Sequence, residues 1–319
     1  MTVRHLAALC AALALPVLPA RAGDNDLQLY RLGHPDDIVV CTKCDGTDRS
    51  VEPGDPQAQA RFARFVSALG LALIPPAFEP GQTTGQSGFE LGFSGHLALQ
   101  KLNPGEWPTA GTQAVTAAPR SLFLPTLSLR KGFGASLELG AAASFLPGSQ
   151  IVALSADLRW ALFEGLDILG YPAPDLAVRA HLTRALGTQE LDLLSGGADA
   201  VLSYRFAIAG VVKLQPYIQG GIAMVNATTG VIAFHPQSED VRDPTGASGV
   251  FHNLNFFRNR YVRWAAGFRV IAGSVLVAAE GSMATGTNPV QTDSLPSGAA
   301  APTQKTESYS VSGRLGFAF

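Results

Sequence analysis

From Tyr309 to Phe319 the sequence alternates without a break. Odd positions carry Tyr309, Val311, Gly313, Leu315, Phe317 and Phe319, and even positions carry Ser310, Ser312, Arg314, Gly316 and Ala318. Period-two alternation is the mark of a β-strand with one apolar and one polar face. Chain termini usually fray into water, so a strand this apolar needs partners on both edges. A closed transmembrane barrel supplies them, because its last strand pairs with its first and leaves no edge. The expectation is a terminal strand that closes such a barrel.

The beginning of the chain agrees. Arg4 and His5 precede an apolar run from Leu6 to about Leu18, and Ala20-Arg21-Ala22 has the small-x-small form of a cleavage site. The run is shorter than the roughly 18–20 residues a membrane-spanning helix needs, so residues 1–22 read as a signal peptide. Cys10 follows Leu9 rather than the small residue expected beside a lipidated cysteine. Loss of Arg4 and Arg21 would take the formal net charge from −2 to −4, which argues against a nucleic-acid partner, since that needs a basic face. The composition is 47% hydrophobic and only 15% charged, yet no run beyond residue 22 reaches 18 apolar residues. Apolar residues spread over alternating strands account for both facts.

Ten segments have the period and length of a tilted spanning strand, about 9–11 residues. They are 89–99, 120–130, 133–145, 151–162, 175–185, 192–207, 214–225, 261–271, 274–284 and 307–319. Phe89, Leu91, Phe93, Leu97 and Leu99 share one face of the first; Phe133, Ala135, Leu137, Leu139 and Phe145 are assigned to one face of the third. Segments 120–130 and 192–207 alternate poorly. Barrels of this kind have long connections outside and short turns on the periplasmic side. Here the first, seventh and ninth connections are the longest, while the second, near Lys131-Gly132, and the eighth, at 271–273, are tight. The fourth, around 163–174, is longer than this rule expects and the third and fifth are short, so parity holds for the three longest and the two shortest. Eight strands, or twelve if 231–234 and 250–257 add a pair, also fit.

With the apolar face toward lipid, the residues pointing inward are Glu90, His96, Glu138, Asp157, Arg159, Arg179, His181, Arg205, Arg263, Arg269, Glu280 and Arg314. Barrels of about this size are filled by their own side chains. The inward charges therefore read first as a packed ionic core, and second as the lining of a narrow conduit. Arg263 and Arg269, unmatched by acids on their own strand, would give such a conduit a modest anion preference.

Residues 23–86 do not read as strand. Asp55-Pro56 is a helix start, and Phe62, Phe65, Val66 and Leu69 form an amphipathic stripe with Gly70 as terminator and Pro75-Pro76 beyond it. The stripe has three places to bury: the periplasmic rim, the lumen as a plug, or a partner protein. Cys41 and Cys44 suit a redox dithiol, half a metal site or a small disulfide loop. Asp45 after the second cysteine excludes haem attachment, and no second pair completes a zinc site. In an oxidising compartment a structural disulfide is the expectation. No His-x-Ser pair lies along one strand face, and the acidic stretch Ser238, Glu239, Asp240 and Asp243, between His235 and His252, reads as solvated loop. Neither a cofactor, a metal nor an enzymatic activity is expected.

The leader, the alternating segments and the ending Tyr309, Phe317, Phe319 together resemble Gram-negative outer-membrane β-barrel proteins over 87–319, and Tyr217-Ile218-Gln219-Gly220-Gly221 is similar to a strand common in small barrels. The resemblance implies an all-β transmembrane antiparallel barrel of about ten strands, embedded in outer-membrane lipid. It also implies that Tyr309, Phe317 and Phe319 are read by periplasmic chaperones and the barrel-assembly machinery. Function is left between a narrow or plugged channel for small solutes, hydrophobic ones included, and a non-conducting barrel that binds through its long loops. Removal of Phe319 is expected to lower the amount of assembled protein in the outer membrane while export across the inner membrane stays intact. Normal assembly, measured by heat-modifiable gel migration of membrane fractions, would refute the assembly role.

Overall fold

In the computed structural model, ten strands pair antiparallel, each with its neighbours in sequence, and the tenth returns to the first. The structure describes residues 26–43, 48–103, 105–109, 121–168, 171–208, 211–234, 248–290 and 303–319. Residues 1–22, expected to be a leader, together with Cys44, His235 and the acidic stretch 238–243, lie outside these. The barrel strands are β1 (Phe89–Gln100), β2 (Ser121–Phe133), β3 (Leu137–Phe145), β4 (Val152–Phe163), β5 (Asp175–Leu186), β6 (Leu191–Ser203), β7 (Val212–Thr229), β8 (Arg260–Ala272), β9 (Val275–Pro289) and β10 (Thr303–Ala318). Closure runs from Ser308 opposite Gln100 to Ala318 opposite Glu90. Phe319 and Phe89 extend it by exchanging backbone hydrogen bonds of 2.8 and 2.9 Å.

Two kinds of end follow from this order. The connections after β1, β3, β5, β7 and β9 share the long-loop end, and those after β2, β4, β6 and β8 share the short-turn end. The turn after β8 is Gly273-Ser274, and Gly273 has φ +61°, where only a residue without a Cβ sits free of strain. The third expected segment divides differently: Phe133 ends β2, and Ala135 lies in the turn to β3 with φ +59°. That turn is 134–136, a few residues beyond the expected Lys131-Gly132. The extra strand pair allowed for after β7 is instead a two-residue bridge, Ile232–Ala233 with Ser248–Gly249, apart from the barrel sheet.

Outward positions carry a belt of large apolar side chains that includes Phe93, Phe123, Leu158, Trp160, Trp264 and Leu315, all about half exposed or more. Water-soluble monomers rarely show contiguous apolar patches beyond a few hundred Å². A belt running round the barrel is a surface for hydrocarbon.

The N-terminal part differs most from expectation. Ile38–Lys43 and Asp48–Glu52 form a short hairpin, so this region does hold strand. Asp55 caps the next turn, its Oδ1 accepting from the Gln57 N–H at 2.8 Å, and helix α1 follows over Ala58–Leu73. Gly70 does not end α1, which continues to Leu73. Nor does α1 bury a single stripe: from Phe65 to Leu73 every residue is buried. A helix buried all round has to lie inside something, and α1 lies inside the barrel. Its Ser67 Oγ meets Tyr261 Oη of β8 at 2.7 Å and Gln304 of β10 at 3.3 Å. On another side, Phe62 stacks on Phe251 with centroids 4.5 Å apart.

The apolar core therefore sits in the lumen, at the long-loop end. Phe62, Phe65, Val66 and Leu69 of α1 share one cluster with inward residues of the wall, among them Leu122 and Leu124 of β2, Leu191 and Leu193 of β6, and Val225 of β7. Gly70 faces β6 and β7 so closely that a Cβ there would lie 2.8 Å from Ser195 Oγ and from Val225 Cγ1. Gly70→Val is expected to destabilise the barrel by about 1–3 kcal/mol, the usual overpacking penalty. Gly313→Ala, where an added Cβ meets nothing within 4 Å, should leave stability unchanged. The check is the temperature at which each purified variant loses its compact gel band; equal values for both would contradict the close packing of α1.

Candidate functional site

Below α1 the chain continues as an extended strap, residues 74–88, down to the start of β1. Its Pro75, Pro76 and Pro80 forbid helix and remove three backbone donors that would otherwise need partners in the closed lumen. What the strap brings into the lumen is one carboxylate. Glu79 is fully buried, and four guanidiniums from four different strands converge on it. Arg314 and Arg269 donate to it at 2.7 and 2.8 Å, and Arg130 and Arg159 pair with it at 3.0 and 3.5 Å.

Around this centre the charges interlock. Arg159 also reaches Glu138 at 2.7 Å and the strap carbonyls of Pro80 and Gln82 at 2.6 and 3.0 Å. Arg130 forks onto Asp157 at 2.9 and 3.2 Å, the bidentate geometry that makes guanidinium–carboxylate pairs strong. Glu90 pairs with Arg314 and Arg269. Glu280 accepts from Tyr217 Oη and from the Phe78 N–H of the strap, both at 2.8 Å, and pairs with Arg263 at 3.5 Å. Arg263 and Arg179 both face Asp199, at 3.5 and 3.8 Å. The network holds Arg130, Arg159, Arg179, Arg263, Arg269 and Arg314 against Glu79, Glu90, Glu138, Asp157, Asp199 and Glu280. The wall alone would carry one uncompensated positive charge, and Glu79 of the strap balances it.

Eleven of the twelve inward candidates are buried on the lumen side: Glu90, His96, Glu138, Asp157, Arg159, Arg179, His181, Arg263, Arg269, Glu280 and Arg314. Arg205 is the exception. β6 ends at Ser203, so Arg205 falls at the short-turn rim, a quarter exposed and 3.3 Å from Asp175. The anion preference reasoned from Arg263 and Arg269 loses its basis, because acids from other strands and from the strap face both. Three members of the network were not found from sequence: Arg130, Asp199 and Glu79.

At the short-turn end the strap is tied by its backbone. The Gly81 N–H donates to Ser203 at 2.8 Å, Thr83 to Glu164 at 2.7 Å and Thr84 to Glu138 at 2.8 Å. Burial raises the Glu164 carboxyl, but hydrogen bonds from Ser136 and Thr83 outweigh it and hold the group below its ordinary range. That contribution to stability is present above the unfolded-state value and lost as pH falls through the folded one. Beside α1 and the strap, two internal voids measure about 10 Å³ each, at the lower limit for one water.

His96 Nδ1 lies 2.8 Å from Ser312 Oγ, a base beside a hydroxyl that no reading along single strands could find, since the two face each other across β1 and β10. Both are buried, and Arg263, not a carboxylate, lines the same small void. The pair is a strand-to-strand hydrogen bond within a filled lumen. Among the described residues, no group of three or more His, Cys, Asp or Glu side chains could hold a metal ion. Cys41 lies on the first strand of the N-terminal hairpin, and its pairing with Cys44 falls outside the described residues. Tyr309, Phe317 and Phe319 all point outward from the closing strand, with the rings of Phe317 and Phe319 stacked 6.5 Å apart.

The fold defines a closed antiparallel ten-strand barrel with its own N-terminal segment inside. No family model and no curated protein matches the sequence. Among solved structures the chain is similar to Neisserial surface protein A, with 12% identity over 73% of this chain and 100% of that one, TM-score 0.28. It is also similar to the outer membrane protease OmpT from Escherichia coli (9% identity, 76% and 99% covered, TM-score 0.33) and to LpxR from Salmonella typhimurium (10%, 72% and 99%, TM-score 0.32). These neighbours are Gram-negative outer-membrane barrels of varied function. Scores this low carry nothing about activity, and the barrel itself stands on the strand pairing above.

Glu79→Gln removes the charge that four arginines share. Leaving buried charges without their partner typically costs about 3–5 kcal/mol, and that loss is expected in denaturant unfolding of the micelle-bound protein. Asp192→Asn, which breaks only the exposed Arg184–Asp192 pair at 3.3 Å, should cost less than about 1 kcal/mol. Similar small losses for both would show that Glu79 is not the centre of the network.

Proposed function

We propose that the chain is an integral outer-membrane β-barrel whose lumen is closed by its own N-terminal segment, and that it acts through the surface of its long-loop end rather than by conducting solutes. The observation that carries this reading is the position of Glu79 among Arg130, Arg159, Arg269 and Arg314. Opening a path would mean drawing Glu79 away and leaving those guanidiniums buried without it. Above it, α1 fills the lumen with an apolar helix that has no other surface to rest on.

The outward belt supports lipid as the barrel's solvent. Tyr309, Phe317 and Phe319, outward on the closing strand, remain available to chaperones and to the assembly machinery while the barrel folds. In this reading Cys41 and Cys44 staple the tip of the N-terminal hairpin. Passage of small solutes is the competing function, and one experiment decides. In planar bilayers the full-length protein is expected to give no current steps above background. Deletion of 26–80 removes a helix about 10–12 Å across with its side chains, and the refolded remainder should give steady conductance. Conductance by the intact protein would overturn the closed-barrel reading in favour of a channel.

A further inference from the structure

The path of the N-terminal segment has a direction. At the long-loop end, the Gln28 N–H donates to the Pro108 carbonyl at 2.7 Å, and Leu27 bridges to Thr109 in the connection after β1. The Gln150 N–H, after β3, donates to Asp26 at 3.1 Å, and Glu190, after β5, accepts from the Leu29 N–H at 3.2 Å. The Gln59 side chain exchanges two hydrogen bonds with the backbone of His252, after β7, at 2.9 and 3.0 Å. The described residues between 26 and 57 therefore cap the long-loop end, held by the connections after β1, β3 and β5 and, through Asp36 at 3.7 Å from His252, by the one after β7. Thirty residues later the chain is at the other end, where the Gly132 N–H donates to the Gly88 carbonyl at 3.1 Å and Phe89 pairs with Phe319. Between the two, α1 covers about 24 Å at 1.5 Å per residue and the strap covers the rest. The segment runs through the barrel once and does not turn back.

We propose that residues 26–57 are displayed on the outer face of the membrane, so that the chain crosses it once more than its ten strands do. The inference rests on the outer-membrane reading above, in which long loops face outward and short turns face the periplasm. The polypeptide then has its N-terminal side outside and its last strand's end inside the periplasm. The barrel becomes an anchor for its own N-terminal cap, with the Glu79 network and α1 as the grip. The displayed surface includes the Ile38–Lys43 and Asp48–Glu52 hairpin, whose Val51 is 64% exposed.

Single cysteines read the sidedness directly. In the full-length chain with Cys10 lost with the leader and with Cys41→Ser and Cys44→Ser, three variants are compared: Val51→Cys in the cap, Val231→Cys after β7, and Ser274→Cys in the turn after β8. All three sites are exposed. A membrane-impermeant maleimide on intact cells should label Val51→Cys as fully as Val231→Cys, while Ser274→Cys should label only once the outer membrane is permeabilised. Should Val51→Cys behave like Ser274→Cys while Val231→Cys labels on intact cells, the display inference falls and the barrel's placement stands. Should Val231→Cys itself be inaccessible and Ser274→Cys accessible, the orientation is reversed and both readings fall. An epitope inserted after Gly23 in the chain with its own cysteines gives a second readout. Antibody binding to intact cells supports display, and binding only after permeabilisation overturns it.

Discussion

One carboxylate among four guanidiniums organises the inside of this barrel. Ion pairs at a protein surface contribute little, because water screens them and the side chains are free to leave. In a closed lumen neither escape exists. Six arginines projecting inward from five strands, two of them from β8, would repel one another and force water or anions into the barrel. Five wall carboxylates offset most of that charge, and Glu79 arrives on a separate piece of chain to complete the balance. The strap is therefore part of the wall's electrostatics. The desolvation of twelve charged groups is tolerable because nearly every one meets more than one partner.

The lumen has two levels, and the N-terminal segment matches both. The long-loop half is apolar and receives a helix buried all round. The short-turn half is ionic and receives an extended strap with one charge and several backbone donors. A strap of proline and glycine suits the lower level, because a helix there would fill space that the arginine side chains occupy. An amphipathic helix lying on the outside would have left Leu122, Leu124, Leu191 and Leu193 facing an empty space. The two halves of the chain are thus complementary in volume as well as in charge.

This division also explains which parts of the structure were legible in the sequence. Strand number and loop parity were readable because the lipid face imposes a clean period of two on most of the barrel. That signal fades on β2 and β6, where Leu122, Leu124, Leu191 and Leu193 are apolar on the inner face as well. Those are the strands that hide Arg130 and Asp199. The blurred alternation was itself a sign that something apolar lay inside. Glu79 had no periodic signal, sitting among Pro75, Pro76 and Pro80. With Arg205 set aside at the rim, its trace was the excess of the inward arginines found, Arg159, Arg179, Arg263, Arg269 and Arg314, over the inward acids found, Glu90, Glu138, Asp157 and Glu280. Gly70 was misleading: glycine ends many helices, but here it lets α1 approach β6 and β7. Arg205 was assigned inward because β6 was drawn too long.

The measurement closest to the central claim is the distance between the Glu79 carboxyl carbon and arginine side-chain nitrogens in the folded protein. Solid-state NMR on bilayer-reconstituted protein, with carbon-labelled glutamate and nitrogen-labelled arginine, reads that dipolar contact, and the spectrum of Glu79→Gln identifies the resonance. The account predicts that the glutamate carboxyl lost in the variant couples strongly to several guanidinium groups at once. A Glu79 carboxyl with no arginine coupling and rapid motion would place the strap outside the network and contradict the account.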